Sequence, residues 1–301
     1  MNKKELYGLF RDMGLEVLQD EPMKRHTSFE IGGPVDIMLI PRSIDEILES
    51  IRFCRDRGIE YFIMGNGSNL LVRDTGIRGV VIKIGNGFDS VERRGDRLYC
   101  ESGISLSTLA KFALEESLTG LEFASGIPGT IGGAITMNAG AYDGEMKDIV
   151  SKVVVLDGDN DVLEIDGEDM GFRYRGSRVI DEGLIVLGVE LELREDEYSI
   201  IKDTMEDLNR RRATKQPQEF ASGGSTFKRP TGYYAGKLID DAGLRGLRHG
   251  DAQVSEKHCG FIVNRGNATF EDVMNLIGTV QKVVRDKFDV TLETEIRIVG
   301  D

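Results

Sequence analysis

The chain has 301 residues, room for two domains or for one domain with a large companion. Hydrophobic residues at 40% and charged residues at 30% describe a soluble globular protein with a real core. A formal net charge of −14 argues against a general nucleic-acid or membrane-surface binder, because anionic phosphates repel such a surface. It leaves room for a small anionic ligand held by local cations. The opening MNKKELYGLFRDMGLEV carries no signal pattern and reads as a short amphipathic helix with Leu6, Leu9, Phe10 and Met13 inward. No apolar run approaches the roughly 20 residues that span a bilayer. Cys54, Cys100 and Cys259 are odd in number, far apart and without a CxxC pair. They read as small buried hydrophobes in a reducing compartment, so a cytoplasmic protein is expected.

A strand is expected over 35–40, followed by a capping box at Ser43 and Glu46. The helix behind it runs to about Gly58, with Ile44, Ile47, Leu48, Ile51 and Cys54 on one face. A short buried strand at 61–64 ends in Gly65-Asn66-Gly67-Ser68-Asn69, and strands follow at 70–72 and 80–84. Two strands, 91–94 and 97–101, flank the turn Gly95-Asp96. A helix over 106–117 leads into FASGIPGTIGGAITMN, residues 123–138. That run holds four glycines, one proline and no charged side chain. Ile127, Ile131, Ile135 and Met137 mark it as a buried wall rather than a linker. Strands at 153–156, 162–165 and 184–193 precede a charged break at 194–197, which reads as a domain boundary. The remainder predicts a helix over 198–212, a helix near 233–242, a strand at 261–264, a helix over 269–288 and a closing strand at 292–299. No repeat or low-complexity segment stands out.

The backbone amides of residues 65–69 can form a concave nest for phosphate, and Ser68 and Asn69 add neutral hydrogen bonds. The loop fits neither the dinucleotide fingerprint nor a Walker loop, and alone it reads as a tight turn. Paired with the wall at 123–138, it points to a dinucleotide held by amides from two loops. Cations gather in the second half: Arg173, Arg175 and Arg178, then Arg210-Arg211-Arg212, Lys228-Arg229 and Lys237. The triplet at 210–212 ends a helix, where solvated surface accounts for it in part. Arg175 stands beside an aromatic residue and a glycine, where a guanidinium fork can meet a carboxylate or phosphate. Ser225 follows Gly223-Gly224 with no histidine nearby, so a hydrolase triad is unsupported. From the residues alone it reads as part of a structural turn, although held rigidly it could donate a proton. In the closing strand Leu292, Thr294, Ile296 and Ile298 alternate with Glu293, Glu295 and Arg297, which leaves one carboxylate either in water or at a cleft. The three histidines show no metal-ligand spacing.

In order along the chain stand GNGSNLL (65–71), GIPGTIGGA (126–134), MNAGAY (137–142), YRGS (174–177), GGSTFKRP (223–230), AGKLI (235–239) and LETEIRIVG (292–300). Over nearly the whole chain this set resembles the UDP-N-acetylenolpyruvoylglucosamine reductases, also called UDP-N-acetylmuramate dehydrogenases. The resemblance implies an α+β chain: a two-part FAD-binding domain of the vanillyl-alcohol-oxidase/PCMH type, then an α+β substrate-binding domain. The boundaries expected are 1–195, with subdomains of about 1–85 and 86–195, and 196–301. It implies noncovalent FAD, reduction by NADPH, and a cytoplasmic step of peptidoglycan precursor synthesis. In that step hydride passes to the methylene carbon of an enolpyruvyl ether of UDP-N-acetylglucosamine, and a proton goes to the carbon bearing the carboxylate.

By motif match, Ser225 is the proton donor, while Arg175 and Glu295 polarise the carboxylate and stabilise the enolate-like charge. Glu295 is preferred to Glu293 because it directly precedes the Ile-Arg pair. The cofactor residues implied are Met64, Gly65, Asn66, Gly67, Ser68, Asn69 and Leu70, then Ala124, Gly126, Ile127, Pro128, Gly129, Gly132, Gly133, Ala134, Asn138 and Gly140. The substrate residues are Tyr174, Gly224, Lys228, Lys237 and Arg297. A nucleotide sugar is the expected partner, with no nucleic acid, membrane or obligate protein partner. Between Tyr174 and Leu193 there is no room for the inserted tyrosine loop of the longer class, so the chain resembles the shorter class. Arg297 is then a candidate for the closing contact. Arg229 stands where many members have asparagine. Two other readings stay open: an oxidase or dehydrogenase of a small hydroxy acid on the same flavin fold, and a non-catalytic flavin-binding module.

Overall fold

Helices in this chain begin where a side chain can accept an otherwise orphaned backbone N–H. The computed structural model describes residues 2–300. At the start of α1 (Lys3–Asp12), Asn2 accepts from Glu5 N and the Glu5 carboxylate accepts from Asn2 N, both at 3.0 Å. α1 buries Leu6 and Phe10, whereas Leu9, expected inward, is 38% exposed. Ser43 caps α2 (Ile44–Asp56) by accepting from Glu46 N at 3.2 Å. The reciprocal arm of that expected box goes elsewhere, because Glu46 accepts from Arg42 N at 2.7 Å. α2 buries Ile47, Ile51 and Cys54 but leaves Ile44 at the surface.

Two compact units form. The first takes the segment through Leu18, Met38–Asn66 and Val80–Arg212. In it Tyr61–Met64 runs parallel to Ile77–Lys83, with Tyr61 opposite Val80 and Met64 opposite Lys83. A five-stranded antiparallel sheet follows in the order Val162–Asp166, Val150–Leu156, Ile185–Glu192, Arg97–Glu101, Val91–Arg94. Its buried residues, among them Leu98, Val153, Val189 and Leu191, share a core with Leu109 of α3 (Leu106–Glu115) and with Ile131 and Ile135 of α4 (Ile131–Met137). α4 lies inside the expected glycine wall, which is therefore part helix, capped by Thr130 and closed by Asn138 at φ +42°. A one-turn helix, α5 (Arg178–Glu182), precedes the strand Ile185–Glu192. The charged run at 194–197 does not end the unit. Arg194–Glu195 pairs with Leu118–Thr119, and the chain leaves this unit within α6 (Tyr198–Lys215).

The second unit takes Gln19–Ile37, Gly67–Gly79 and the chain from Ala213 onward. Its antiparallel sheet has the order Ala221–Ser222, Ile262–Asn264, Ala252–Val254, Arg248–His249. α7 (Ala235–Asp241) buries Leu238 and Ile239, and α8 (Phe270–Phe288) buries Val273, Leu276, Ile277, Val280 and Val284 in the same core. The expected closing strand is mostly irregular. Only Arg297–Val299 is strand, parallel to Leu70–Val72, and the inward alternation stops after Ile296, since Ile298 is 40% exposed. Among the described residues no helix is long and apolar enough to cross a membrane.

Two stability predictions arise here. Ser102 is 2% exposed, and its hydroxyl has no hydrogen-bond partner. A buried unpaired hydroxyl costs about 1–3 kcal/mol, so Ser102→Ala is expected to raise Tm; a lower Tm in thermal denaturation would refute this. His258, edge-on to Phe261, accepts from Gly260 N at Nδ1 (3.2 Å). Burial first, and Arg245 nearby, hold its pKa below the ordinary value of 6.5. Below about pH 6.5 the unfolded chain therefore takes up a proton that the folded chain resists, and stability falls. His258→Gln should flatten the acid side of the Tm–pH profile.

Candidate active site

Of the expected cofactor residues, 64–66 and those of the wall at 124–140 belong to the first unit, and 67–70 to the second. Segment 102–106 backs the wall in strand fashion. Gly132 N donates to Ser102 O and Ile131 N to Ile104 O, both at 2.9 Å, and Leu106 N donates to Gly129 O at 3.0 Å. Met64 is buried at the end of its strand, and Gly65 lies directly against Thr130. A Cβ at Gly65 would collide with Thr130 Oγ1 and stand 3.0 Å from Cγ2, so only glycine lets the loop meet the wall. Gly126 is constrained likewise, its missing Cβ replaced by Asn209 Oδ1 at 2.5 Å and Arg212 Nε at 3.0 Å. Part of the glycine density thus serves packing within the chain. Gly133 differs, because a Cβ there would find only Thr130 Oγ1, at 3.6 Å, and otherwise open space.

Arg212 was missed by sequence reasoning, which placed it with Arg210 and Arg211 on a solvated helix end. Its neighbours are exposed and paired with Asp207, but Arg212 is 7% exposed, against Gly126 and 5.8 Å from the Tyr142 ring centroid. Burial lowers its pKa below the ordinary guanidinium value, and it remains a cation at neutral pH. The available signal was helical phase: Arg212 follows Met205 and Asn209 at i+7 and i+3 on the inward side of α6.

Arg175 sits on a tight turn held from both ends. Arg173 N donates to Gly176 O at 3.0 Å and Gly176 N to Arg173 O at 3.2 Å. Ser177 Oγ donates to Thr136 O at 3.0 Å, and Asn138 Nδ2 donates to Arg173 O at 3.2 Å and to Glu145 Oε2 at 2.6 Å. Asn138, expected to touch cofactor, is 1% exposed and spends its amide on anchoring this turn to the end of α4. Arg175 itself has φ +56°, a conformation that side chains other than glycine seldom adopt and that functional sites retain. Its guanidinium lies 5.1 Å from the ring centroid of the exposed Tyr174. Arg173 is committed to Asp181 through two bonds of 2.8 and 2.6 Å.

The second unit brings Ser225 and Glu295 together from 70 residues apart. Glu295 N donates to Thr226 O at 2.8 Å, Lys228 N to Glu293 O at 2.9 Å, and Phe227 bridges Thr294. Thr226 is itself fixed, donating from N to Gly260 O and accepting at Oγ1 from Ile262 N. The other edge of the Glu295 segment holds the distal part of the expected cofactor loop. Asn69 Nδ2 donates to Glu295 O at 3.2 Å, Arg297 N donates to Asn69 O at 2.9 Å, and Arg297 is opposite Leu70 in the parallel pair. Glu293 points to solvent and pairs with Lys228 at 3.1 Å, while Glu295 is half-buried, which supports choosing Glu295. Lys237 pairs with Asp241 at 2.8 Å on the exposed face of α7.

Within the first unit, amide-rich backbone, an open face at Gly133 and a buried guanidinium suit a dinucleotide with a flat ring, and the residues present fit FAD. These features define a flavoprotein of the FAD-binding-domain class: residues 35–166 match the family described as FAD binding domain. Residues 216–299 match the C-terminal domain of UDP-N-acetylenolpyruvoylglucosamine reductase. Relatives of that name from Caldanaerobacter subterraneus subsp. tengcongensis and Clostridioides difficile are 56% and 50% identical. They cover 94% and 100% of this chain and 93% and 100% of their own lengths. The crystal structure of UDP-N-acetylenolpyruvylglucosamine reductase from Thermus caldophilus superposes with a TM-score of 0.80 at 35% identity, over 94% of this chain and 98% of that one. The chain belongs to the UDP-N-acetylenolpyruvoylglucosamine reductase family.

Proposed function

We propose that this chain is an FAD-dependent, NADPH-consuming reductase that converts UDP-N-acetyl-3-O-(1-carboxyvinyl)glucosamine to UDP-N-acetylmuramate in peptidoglycan precursor synthesis. Full-length identity to the family supports the reaction, and its length near 300 residues agrees with the shorter class. The alternatives of a hydroxy-acid oxidase and of a non-catalytic module give way to family membership. The observation that supports the residue roles is the backbone pairing of the two segments, in which Glu295 N donates to the carbonyl of Thr226, the residue next to Ser225.

When bound, FAD supplies the hydride acceptor for NADPH and the hydride donor for the methylene carbon. Residues 64–70 and 124–140 hold it, with Arg212 at Gly126. The enolpyruvyl carboxylate is the partner of Arg175, whose turn is pinned to α4, and of the polarising field of Glu295. Negative charge that develops as hydride arrives meets groups already in place, so little reorganisation is needed. Ser225 holds the proton at Oγ and releases it to the carbon bearing the carboxylate, which completes saturation of the double bond. Tyr174, Gly224, Lys228, Lys237 and Arg297 contact the nucleotide sugar. A cytoplasmic location follows from the need for NADPH and a soluble nucleotide sugar. The test is NADPH oxidation by the purified yellow protein: the rate should depend on the enolpyruvyl substrate. Oxidation that proceeds with oxygen alone and ignores the substrate would overturn the assignment.

A further inference from the structure

Two adjacent tyrosines in the second unit are left outside its core. α7 begins at Ala235 and buries Ala235, Leu238 and Ile239, yet Tyr233 and Tyr234 are 48% and 61% exposed. Tyr233 N donates to Pro230 O at 3.1 Å, which closes the 230–233 turn and fixes where the rings emerge. The Arg229 guanidinium lies 4.0 Å from the Tyr234 ring centroid, a stacking distance that restricts the ring's rotation while leaving most of it in solvent. Solvent-facing, orientationally restrained aromatic rings are the means by which proteins hold planar heterocycles.

The position of this pair relative to the chemistry is set by one continuous segment. Ser225 leads through Thr226, Phe227 and Lys228 to Arg229, and the pairing with 293–295 keeps that segment extended. Four residues span at most about 14 Å. A nucleotide sugar carries its reactive ether at one end and its pyrimidine at the other, with a hexose, two phosphates and a ribose between. A length of that order brings the pyrimidine to the tyrosines when the ether is at Ser225.

We propose that Tyr234, restrained by Arg229 and with Tyr233 beside it, is the stacking platform for the pyrimidine base of the substrate. This rests on the function and the Ser225 role proposed above. Tyr234 is a binding residue that sets affinity and selects a planar base; it takes no part in hydride or proton transfer.

The test compares Tyr234→Ala, Tyr234→Phe and the wild type, each carrying FAD. Tyr234→Ala should raise KM for the enolpyruvyl substrate about 10-fold or more and weaken calorimetric binding of UDP by a similar factor. The bound-flavin spectrum, kcat and the rate of flavin reduction by NADPH should stay unchanged. Tyr234→Phe, which keeps the ring, should stay close to wild type. Unchanged KM and UDP affinity in Tyr234→Ala and in the Tyr233→Ala/Tyr234→Ala double variant overturns the inference. An equal loss in Tyr234→Phe also overturns it, since the hydroxyl and not the ring would then matter. A wild-type enzyme that neither binds UDP nor turns over the enolpyruvyl substrate refutes the proposed function, and this inference with it.

Discussion

Ser225→Ala should purify with full flavin, accept hydride from NADPH at the wild-type rate, and then stall. A positioned acid typically contributes about 10²–10⁴-fold, so substrate-dependent reoxidation of the reduced enzyme should slow by that factor. KM should change little, because the lost interaction is one made in the transition state. Ser225 is suited to this separation because its neighbour is so firmly held. Thr226 donates to Gly260 O and accepts from Glu295 N through its backbone, and its hydroxyl takes Ile262 N. Removing one hydroxyl from the adjacent residue leaves that lattice intact. Ser225→Cys, which restores a proton in the same place, should recover part of the rate. Rapid-mixing measurement of the two half-reactions checks the claim: slowed flavin reduction with normal reoxidation would remove Ser225 from its role.

The second large effect is expected at Gly65→Ala. The new methyl would collide with Thr130 Oγ1 and stand 3.0 Å from its Cγ2, so either the loop lifts or Thr130 turns away. If Thr130 turns, Gly133 N loses the hydroxyl that caps it at 3.4 Å. Overpacking of this kind costs about 1–3 kcal/mol, and a lost cap about 1 kcal/mol more. Both distortions fall on the surface assigned to FAD, so the variant should emerge with a severalfold lower flavin content and a lower Tm. Adding Thr130→Ala removes both colliding atoms and should return part of the flavin, a coupling that distant sites would not show. Absorbance of the purified protein against total protein measures it. Full flavin in Gly65→Ala alone would mean that the loop does not need the wall.

Much of the scaffold was legible from local rules. The N-cap at Ser43 and the hairpin at Gly95-Asp96 depend on neighbours within a few residues, and both form where expected. Errors came where the deciding neighbour was distant. Periodicity put Leu9 and Ile298 inward, but each stands where no other element covers it, and both are well exposed. The glycine wall looked uniformly like ligand-facing backbone. Gly126 instead answers to Asn209 and Arg212, up to 86 positions away in the chain, and Gly132 to Ser102. The side chain of Asn138, read only as a cofactor contact, also anchors the Arg175 turn.

Residue types and their order were sufficient for the family and its FAD, because motifs are contiguous and carry their chemistry with them. Three things needed tertiary structure. Glu295 is half-buried with its backbone on Thr226, whereas Glu293 is exposed and paired with Lys228, because the cover given by neighbouring segments differs two residues apart. Arg212 is buried while Arg210 and Arg211 are solvated, because helix rotation against Gly126 decides it. Tyr233 and Tyr234 remain in solvent, because α7 fills its core without them. In each case the outcome depends on which surface of an element meets another, a property of packing that sequence spacing constrains but does not settle.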